Sequence, residues 1–323
     1  MLQETDPPTP QPTTGPETPG AVRAATAPPE FVLRWADNAL IHSQRLGEWT
    51  GHGPVLEEDI ALANIALDHL GQARMLLSHA GRLMDPPQTE DDLAYFRDAA
   101  AFRNFTALEL PNSGVHAARG AQGDYAFTIV RHALYSAYML AVWERLLAGP
   151  DANLAEIAGK AIKETRYHWR HASDWLVKLG DGTEHSHQRM QMALEQFLPY
   201  TNEWFDLDAL DLAFLSRHVT SDCRAHSARS AGDAAPDHAH FSRPDQSRIA
   251  AAADFRQPLE ALAGGLRAQW LALLEPVLAE STLTWPSPSA LLTCGRYGRH
   301  GEHLSVLLAE LQSVARAHPG AQW

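Results

Sequence analysis

The stretch from Val55 to Met84 constrains the fold most, because its apolar residues recur at the spacing of one long α-helix. Asn64, Asp68 and Gln72 follow one another at i, i+4 and i+8 among further apolar side chains. A face turned to solvent would carry more charge, so we expect this helix to bury most of its circumference and to take the polar stripe inward. A buried carboxylate needs a proton, a cation or several hydrogen-bond donors, which makes the surroundings of Asp68 decisive. The predicted apolar arc comprises Leu56, Ile60, Leu62, Ala63, Ala66, Leu67, Leu70, Ala73 and Leu77.

The rest of the chain repeats this pattern of long apolar segments separated by stops that contain glycine or proline. No strand pattern of useful length interrupts them. The short connections favour neighbouring antiparallel pairs, so the sequence predicts an all-α fold. The predicted helices span residues 31–49, 55–84, 91–108, 125–148, 153–179, 184–198, 206–218, 254–280 and 299–317.

Two segments lack this periodicity. Residues 1–30 are rich in proline, threonine and glycine, a composition that predicts a disordered tail because it buries too little apolar surface. Residues 219–247 are polar, aperiodic and rich in alanine, serine and histidine, which predicts a flexible insertion. Residues 31–323, with this insertion, are expected to form a single helical domain.

Charge and cysteine content exclude several classes of partner. The formal net charge of −13 disfavours nucleic acid and anionic membranes, because both attract basic surfaces. No run of 18 apolar residues is present, so no membrane span is predicted. Cys223 and Cys294 stand far apart in the sequence, which fits a reducing cytoplasm and not a disulfide framework.

Long antiparallel helices around a polar centre suggest the ferritin-like bundle that holds two iron ions. That site takes a carboxylate from each of two helices and Glu-x-x-His from each of the other two. In the first helix only Gln44 and Glu48 qualify, and Glu48 lies in the last turn. In the second helix Asp68 occupies the carboxylate position, but Gly71 stands where histidine is needed. The first two helices therefore supply an incomplete set.

The other two helices are also incomplete. Helix 125–148 has no acid until near its end. In helix 153–179, His168 lies on the apolar face and Glu164 at its edge, but the inward i, i+3 pair is Thr165 and His168. The sequence thus predicts a degenerate di-iron site, without metal or catalytic residues, whose polar remnants are Glu48, Asp68, Glu164 and His168.

Two alternatives to a hydrogen-bonded polar patch remain open. In the first, ligands at positions shifted from the usual pattern hold two metal ions. In the second, Asp68, Glu164 and His168 face solvent or a partner.

Four runs of sequence carry a resemblance to a known family. They are QRLGEWTGHGPVLEEDIALANIALDHLGQAR at 44–74, AIKETRYHWRHASDWLVKLGDGTEHSHQRMQ at 161–191, NEWFD at 202–206 and GRHGEHLSVLLAELQSVARAHPGAQW at 298–323. Together they resemble the C subunits of the multicomponent 1,2-phenylacetyl-CoA epoxidases, over about residues 31–215 and 255–323. The tail and the insertion lie outside this resemblance.

The resemblance implies a division of labour. In that family the A subunit holds the di-iron centre and binds the CoA thioester, and a reductase with flavin and an iron–sulfur cluster delivers electrons from NADPH. The C subunit is a ferritin-like structural partner that has lost the iron site. We therefore expect no cofactor in this chain, and we expect the A subunit and the reductase among its partners.

These expectations leave three hypotheses. The leading one is a non-catalytic structural subunit of the epoxidase in aerobic phenylacetate degradation. The alternative is a self-sufficient di-iron oxidase or oxygenase with shifted ligands, and a third is a helical binding module unrelated to oxygenases. The helices carry more aromatic residues than one core needs, which predicts that some of them lie on a partner surface. Those residues are Trp35, Trp49, Tyr95, Phe96, Phe102, Phe105, Tyr135, Tyr138, Trp143, Trp169 and Trp175.

Overall fold

The computed structural model describes residues 25–116, 121–216 and 246–321. Most of the predicted tail and nearly all of the predicted insertion lie outside these ranges. The end of the predicted tail is ordered, however, because Ala27 is buried and the first helix begins at Pro29. The helices are α1 Pro29–Gly47, α2 Leu56–Leu83, α3 Glu90–Tyr95, α4 Thr106–Glu109, α5 Tyr125–Leu147, α6 Ala152–Gly180, α7 Glu184–Phe197, α8 Ala209–Leu215, α9 Gln246–Glu280, α10 Glu302–Leu311 and α11 Ser313–Ala317, with 3₁₀ turns at Ala99–Ala101, Leu198–Phe205 and Gly295–Tyr297.

Four long helices form the centre of the molecule. Helix α1 packs along α2, α5 packs along α6, and α2 also contacts α6. Short loops join the members of each pair, which are therefore antiparallel. Helix α7 covers α5 and α6, and α9 packs on α5, α6 and α8. This is the all-α, ferritin-like bundle that the sequence predicts.

The start of α6 is fixed by Asp151. Its Oδ1 accepts hydrogen bonds from the backbone N–H groups of Asn153 at 2.9 Å and Leu154 at 3.0 Å, so Asp151 caps the helix. Its Oδ2 accepts a 2.7 Å hydrogen bond from the backbone N–H of Ala27. One carboxylate therefore joins the segment just before α1 to the second helix pair.

The predicted helix 91–108 was wrong, because the chain there forms only the short helices α3 and α4 with irregular backbone between them. Side chains of α1 replace the helical hydrogen bonds. The backbone N–H of Arg103 donates to Asp37 Oδ2 at 2.8 Å, and that of Phe105 donates to Asn38 Oδ1 at 2.7 Å. Since these donors are satisfied without a helix, local helical propensity does not decide the structure here.

The apolar arc predicted for α2 was too wide. Leu56, Ile60 and Leu67 are 71%, 53% and 63% exposed. Asn64 is exposed as well, and Gln72 is buried, so the polar stripe enters the protein only toward its C-terminal end. The residues of α2 that face the core include Leu62, Ile65, Ala66, His69, Gln72 and Ala73.

Nearly all of the aromatic residues predicted for a partner surface are buried or half-buried instead. Phe96, at 44%, is the exposed one of that group. The core is larger than four helices alone would make it, because the 3₁₀ turn at 198–205 and α9 add buried Trp204 and Trp270. The indoles of Trp204 and Trp270 lie edge-on with ring centroids 6.2 Å apart.

A charged network joins the C-terminal part of the chain to α1 and α8. The guanidinium of buried Arg296 pairs with Asp211 and donates a 2.7 Å hydrogen bond to the carbonyl oxygen of Asp206. Its backbone N–H donates to Glu203 Oε1 at 2.7 Å. Asp211 also lies 3.4 Å from Arg34 of α1. Asp211 and Glu203 are fully buried, so these partners compensate carboxylates that water cannot reach.

Candidate functional site

Three histidines meet where the long helices approach one another. His42 comes from α1, His69 from α2 and His132 from α5, and each is at most 2% exposed. One ring nitrogen from each lies within 4.8 Å of the others, and His42 Nε2 is 3.1 Å from His132 Nδ1. We call these three residues the histidine cluster.

Helix geometry places the cluster. His69 follows Ile65 by four residues and Ala66 by three, so all three share the buried face of α2. His42 follows Asn38 by four residues on α1. Helix α5 is buried on all sides over most of its length, so His132 has no solvent-facing alternative.

Burial keeps the cluster uncharged at neutral pH. Desolvation lowers the pKa of His42 well below its ordinary value, and the neighbouring imidazoles of His69 and His132 lower it further. The pKa of His132 and of His69 is lowered in the same way, by burial first and then by nearby His168. Each ring therefore keeps a lone pair on one nitrogen.

Several of these ring nitrogens have no hydrogen-bond partner among the described residues. They are both nitrogens of His69, Nδ1 of His42, Nε2 of His132 and Nδ1 of His168. Buried polar atoms without a partner are uncommon in proteins and call for an explanation.

His168 and Asp68, both predicted from the sequence, lie beside the cluster. His168 Nε2 is 3.0 Å from Asp68 Oδ2, and its ring centroid is 4.7 Å from that of His69 and 5.6 Å from that of His132. The side chain of His168 is fully buried, whereas that of Asp68 is 40% exposed. Asp68 therefore stands at the rim of the core and keeps part of its hydration.

Glu164 shares the surface next to Asp68. Both residues line a cleft of about 610 Å³ between α2 and α6. Gln72 Nε2 donates a 2.9 Å hydrogen bond to Glu164 Oε2. The structure thus brings Asp68, Glu164 and His168 to one side of the bundle. Glu164 accepts a hydrogen bond there from the side-chain amide of Gln72.

Glu48 belongs to a different neighbourhood. It accepts hydrogen bonds from Arg45 Nη1 at 2.5 Å and from Asn112 Nδ2 at 2.8 Å. It lines a separate cavity of about 390 Å³ together with Trp49 and Asn112. Its carboxylate is therefore hydrogen-bonded to these donors at the end of α1.

A second acid–histidine pair links α2 and α6. His171 Nε2 lies 2.8 Å from Glu58 Oε2, and the hydroxyl of Tyr125 donates to the same oxygen at 2.6 Å. Burial alone would raise the pKa of Glu58, but the hydrogen bonds from Tyr125 and His171 outweigh it and lower the pKa. The His171 ring lies 6.4 Å from that of His132, so this pair borders the cluster.

The residues at the centre do not fit a di-iron centre. Two iron ions require several carboxylate ligands between them, because hard cations favour anionic oxygen. The described part of the bundle offers three imidazoles there, and the carboxylates of Glu58 and Asp68 beside them are each paired with a further histidine. Asp68, the carboxylate hydrogen-bonded to His168, is partly solvated. A neutral nitrogen-donor set cannot neutralise two adjacent iron ions.

Comparison with known proteins agrees with this fold. A sequence model described as phenylacetic acid catabolic protein matches residues 15–323. The C subunit of 1,2-phenylacetyl-CoA epoxidase from Escherichia coli K12 is 39% identical over 293 residues, which cover 91% of this chain and 98% of that relative.

The chain belongs to the phenylacetic acid catabolic protein family. Sequence reasoning missed the central feature of this family member, the cluster of His42, His69 and His132. It searched for carboxylates and for Glu-x-x-His, and none of the three residues fits either pattern. The signal was present as a lone histidine within the apolar helix 125–148 and as histidines at buried helical positions on two other helices.

Sequence reasoning also missed the Glu58–His171 pair. Glu58 lies in the first turns of α2, and His171 stands three residues after His168 on α6. Within the described ranges, no helix combines the length and the apolar character that a membrane span requires.

Proposed function

We propose that this chain is the non-catalytic structural subunit of a multicomponent 1,2-phenylacetyl-CoA epoxidase in aerobic phenylacetate degradation. The observation that carries the proposal is the ligand set at the bundle centre, where three imidazoles converge in place of the carboxylates that a di-iron oxygenase needs. The relative from Escherichia coli, the C subunit of this epoxidase, aligns over 98% of its length and supports the assignment.

The proposal assigns the chemistry to partners. The di-iron centre and the CoA thioester belong to a catalytic A subunit, and flavin and an iron–sulfur cluster belong to a reductase. This chain contributes a folded surface and no redox cofactor, and it works in the cytoplasm with these partners.

An apolar stripe on α2 supports a role in assembly. Leu56, Ile60 and Leu67 follow one another along one side of this helix and are each more than half exposed. Tyr167 of α6, 46% exposed, extends the apolar character to the neighbouring helix. Large exposed apolar side chains in a row are typical of surfaces that a partner covers. We propose this stripe as the surface that meets the A subunit.

The test is co-expression of the chain with the candidate A subunit, followed by light scattering and metal analysis of each species. A stable hetero-oligomer with iron on the A subunit, and with far less than one iron on this chain, is the expected result. Near two irons on the isolated chain with oxygen-dependent turnover would favour the self-sufficient oxidase. A monomer that does not bind the A subunit would favour the unrelated binding module.

A further inference from the structure

Histidines from three helices converge on one point in this protein, and nothing in the proposed assembly role requires it. His42, His69 and His132 are almost fully buried and offer nitrogens within 4.8 Å of one another. For a cation bound at about 2.0–2.1 Å by tetrahedral nitrogens, the nitrogens lie roughly 3.3 Å apart. The distance between His42 Nε2 and His132 Nδ1 is already 3.1 Å. The third nitrogen, from His69, lies within 4.8 Å of the other two.

The hydrogen bonding of these rings provides an independent observation. His69 is 2% exposed, and neither of its ring nitrogens meets hydrogen-bond geometry with a partner within the described ranges. Burial lowers the pKa of His69 and the Gln72 side chain opposes that effect, but the amide N–H of Gln72 donates to Glu164. A buried imidazole without any partner loses its hydration without compensation. A cation that accepts its lone pair supplies that compensation.

We propose that His42, His69 and His132 bind a single divalent cation that prefers nitrogen ligands, of the class of Zn²⁺. Three neutral imidazoles on one centre are a ligand set that zinc and related ions accept, with a further position for water or a fourth side chain. The proposal goes beyond the assembly role and is independent of it, because a mononuclear nitrogen site is chemically unlike the di-iron centre assigned to the partner.

His168 is placed to support this site. Asp68 lies 3.0 Å from its Nε2, which leaves Nδ1 of the same ring buried and without a partner among the described residues. Carboxylate–histidine pairs of this kind orient metal-binding imidazoles in other proteins. His168 therefore borders the site without belonging to its three-histidine ligand set, and the Asp68 carboxylate contributes negative charge beside it.

One nearby cation opposes metal binding, and the fold limits its effect. Arg131 precedes His132 on α5, and its guanidinium is turned to the carbonyl oxygen of Leu110 at 2.7 Å and to the side chain of Asn112. Its charge is therefore shared with these two acceptors.

The experiment uses the full-length chain, stripped with a chelator and titrated with Zn²⁺ and separately with Co²⁺. We expect about one ion per chain that survives gel filtration, and a Co²⁺ absorption spectrum of a four-coordinate, nitrogen-rich site. His69→Gln and His132→Gln should each weaken binding by at least about tenfold. His79→Gln is the matched control, because His79 is also a buried histidine of α2 but lies outside the cluster.

Each outcome either supports or overturns the proposed metal site. Circular dichroism establishes that the variants are folded, and the Co²⁺ spectrum of the unmodified chain reports its ligands if a variant does not fold. Less than about one-tenth of an ion per folded chain after titration would overturn the proposal. So would binding that His79→Gln loses and the cluster variants keep, or a Co²⁺ spectrum typical of oxygen ligands. These results concern the isolated chain and leave the test with the A subunit unaffected.

Discussion

His168 Nε2 lies 3.0 Å from Asp68 Oδ2, and the two partners differ sharply in exposure, the histidine being fully buried and the aspartate side chain 40% exposed. Replacing Asp68 and replacing His168 should therefore lower the free energy of unfolding by different amounts. Without Asp68, a buried imidazole loses a hydrogen-bond partner. Without His168, the carboxylate can return to water.

This asymmetry predicts the outcome of a double-mutant cycle. Asp68→Leu should lower the free energy of unfolding by about 1–2 kcal/mol, because it leaves His168 Nε2 buried without a partner. Combining it with His168→Leu should recover about 0.5–1 kcal/mol of the summed loss, because the double variant leaves neither group unsatisfied. Urea unfolding of the four proteins measures the coupling. Additive single effects would contradict an energetic link, and Asp68→Asn, which keeps an acceptor oxygen, serves as the control.

The exposed stripe on α2 predicts a specific loss of assembly. Changing Leu56 and Leu67 together to Asp should weaken the complex with the A subunit by at least about tenfold, because charge would replace apolar contact area. The isolated variant should stay folded, since both side chains are more than half exposed. Light scattering of mixtures with the A subunit gives the measurement. Val306 and Val314, 54% and 55% exposed on α10 and α11, provide the control double variant to Asp. Equal loss in both variants would remove α2 as the contact surface.

The network at the start of α6 predicts an acid dependence. Burial alone would raise the pKa of Asp151, but hydrogen bonds from His79 and from the backbone N–H groups of Ala27 and Leu154 lower it to about 2. A carboxyl group with a depressed folded-state pKa stabilises the fold above its unfolded value of about 3.9, and this contribution disappears as the pH falls toward 2.

Asp151→Asn should therefore flatten the dependence of unfolding free energy on pH between about pH 4 and pH 2, since the amide does not titrate. The amide oxygen still caps the helix, which keeps the comparison close. Chemical unfolding at half-unit pH steps measures the two slopes. Identical slopes for the two proteins would show that Asp151 contributes nothing to acid sensitivity.

The hydrogen bond between Ala27 and Asp151 limits how much of the N-terminus can be removed without loss of stability. Deletion of residues 1–20 should leave the melting temperature unchanged, because that sequence lacks apolar periodicity. Deletion of residues 1–28 should lower it by several degrees, because it removes buried Ala27 and its 2.7 Å hydrogen bond to Asp151. Thermal unfolding of the two truncated chains makes the comparison. A large loss in the shorter deletion would mean that the tail contributes to the fold.

The sequence predicted the long helices well because their periodicity and stops act locally. It failed where distant side chains replace local hydrogen bonds, as when Asp37 and Asn38 accept from the backbone of the segment before α4. It overestimated the buried face of α2, because Leu56 and Leu67 have the apolar character of core residues but none of the described helices covers them.

The candidate site was predictable only in part for a similar reason. Periodicity placed His168 on the apolar face of its helix, with Glu164 at the edge of that face, and Asp68 in the polar stripe of α2. It could not bring His42, His69 and His132 together, because they stand on three helices whose mutual rotation the sequence does not specify. Their convergence depends on packing between helices, and a search for Glu-x-x-His passes over it.

Arg296 has a consequence for how the cell makes this protein. The buried Asp211 and Glu203 depend in part on groups at position 296, which is synthesised 85 residues after Asp211 and 93 residues after Glu203. Until then Asp211 can pair with Arg34, and Glu203 can accept from the backbone N–H of Thr106, but both lack their partner at position 296. Burying a carboxylate with part of its partners missing is unfavourable. The native contacts around α8 are therefore completed only after position 296 has been synthesised. A product that terminates before position 296 lacks these contacts, and we expect it to be cleaved by proteases faster than the longer chain.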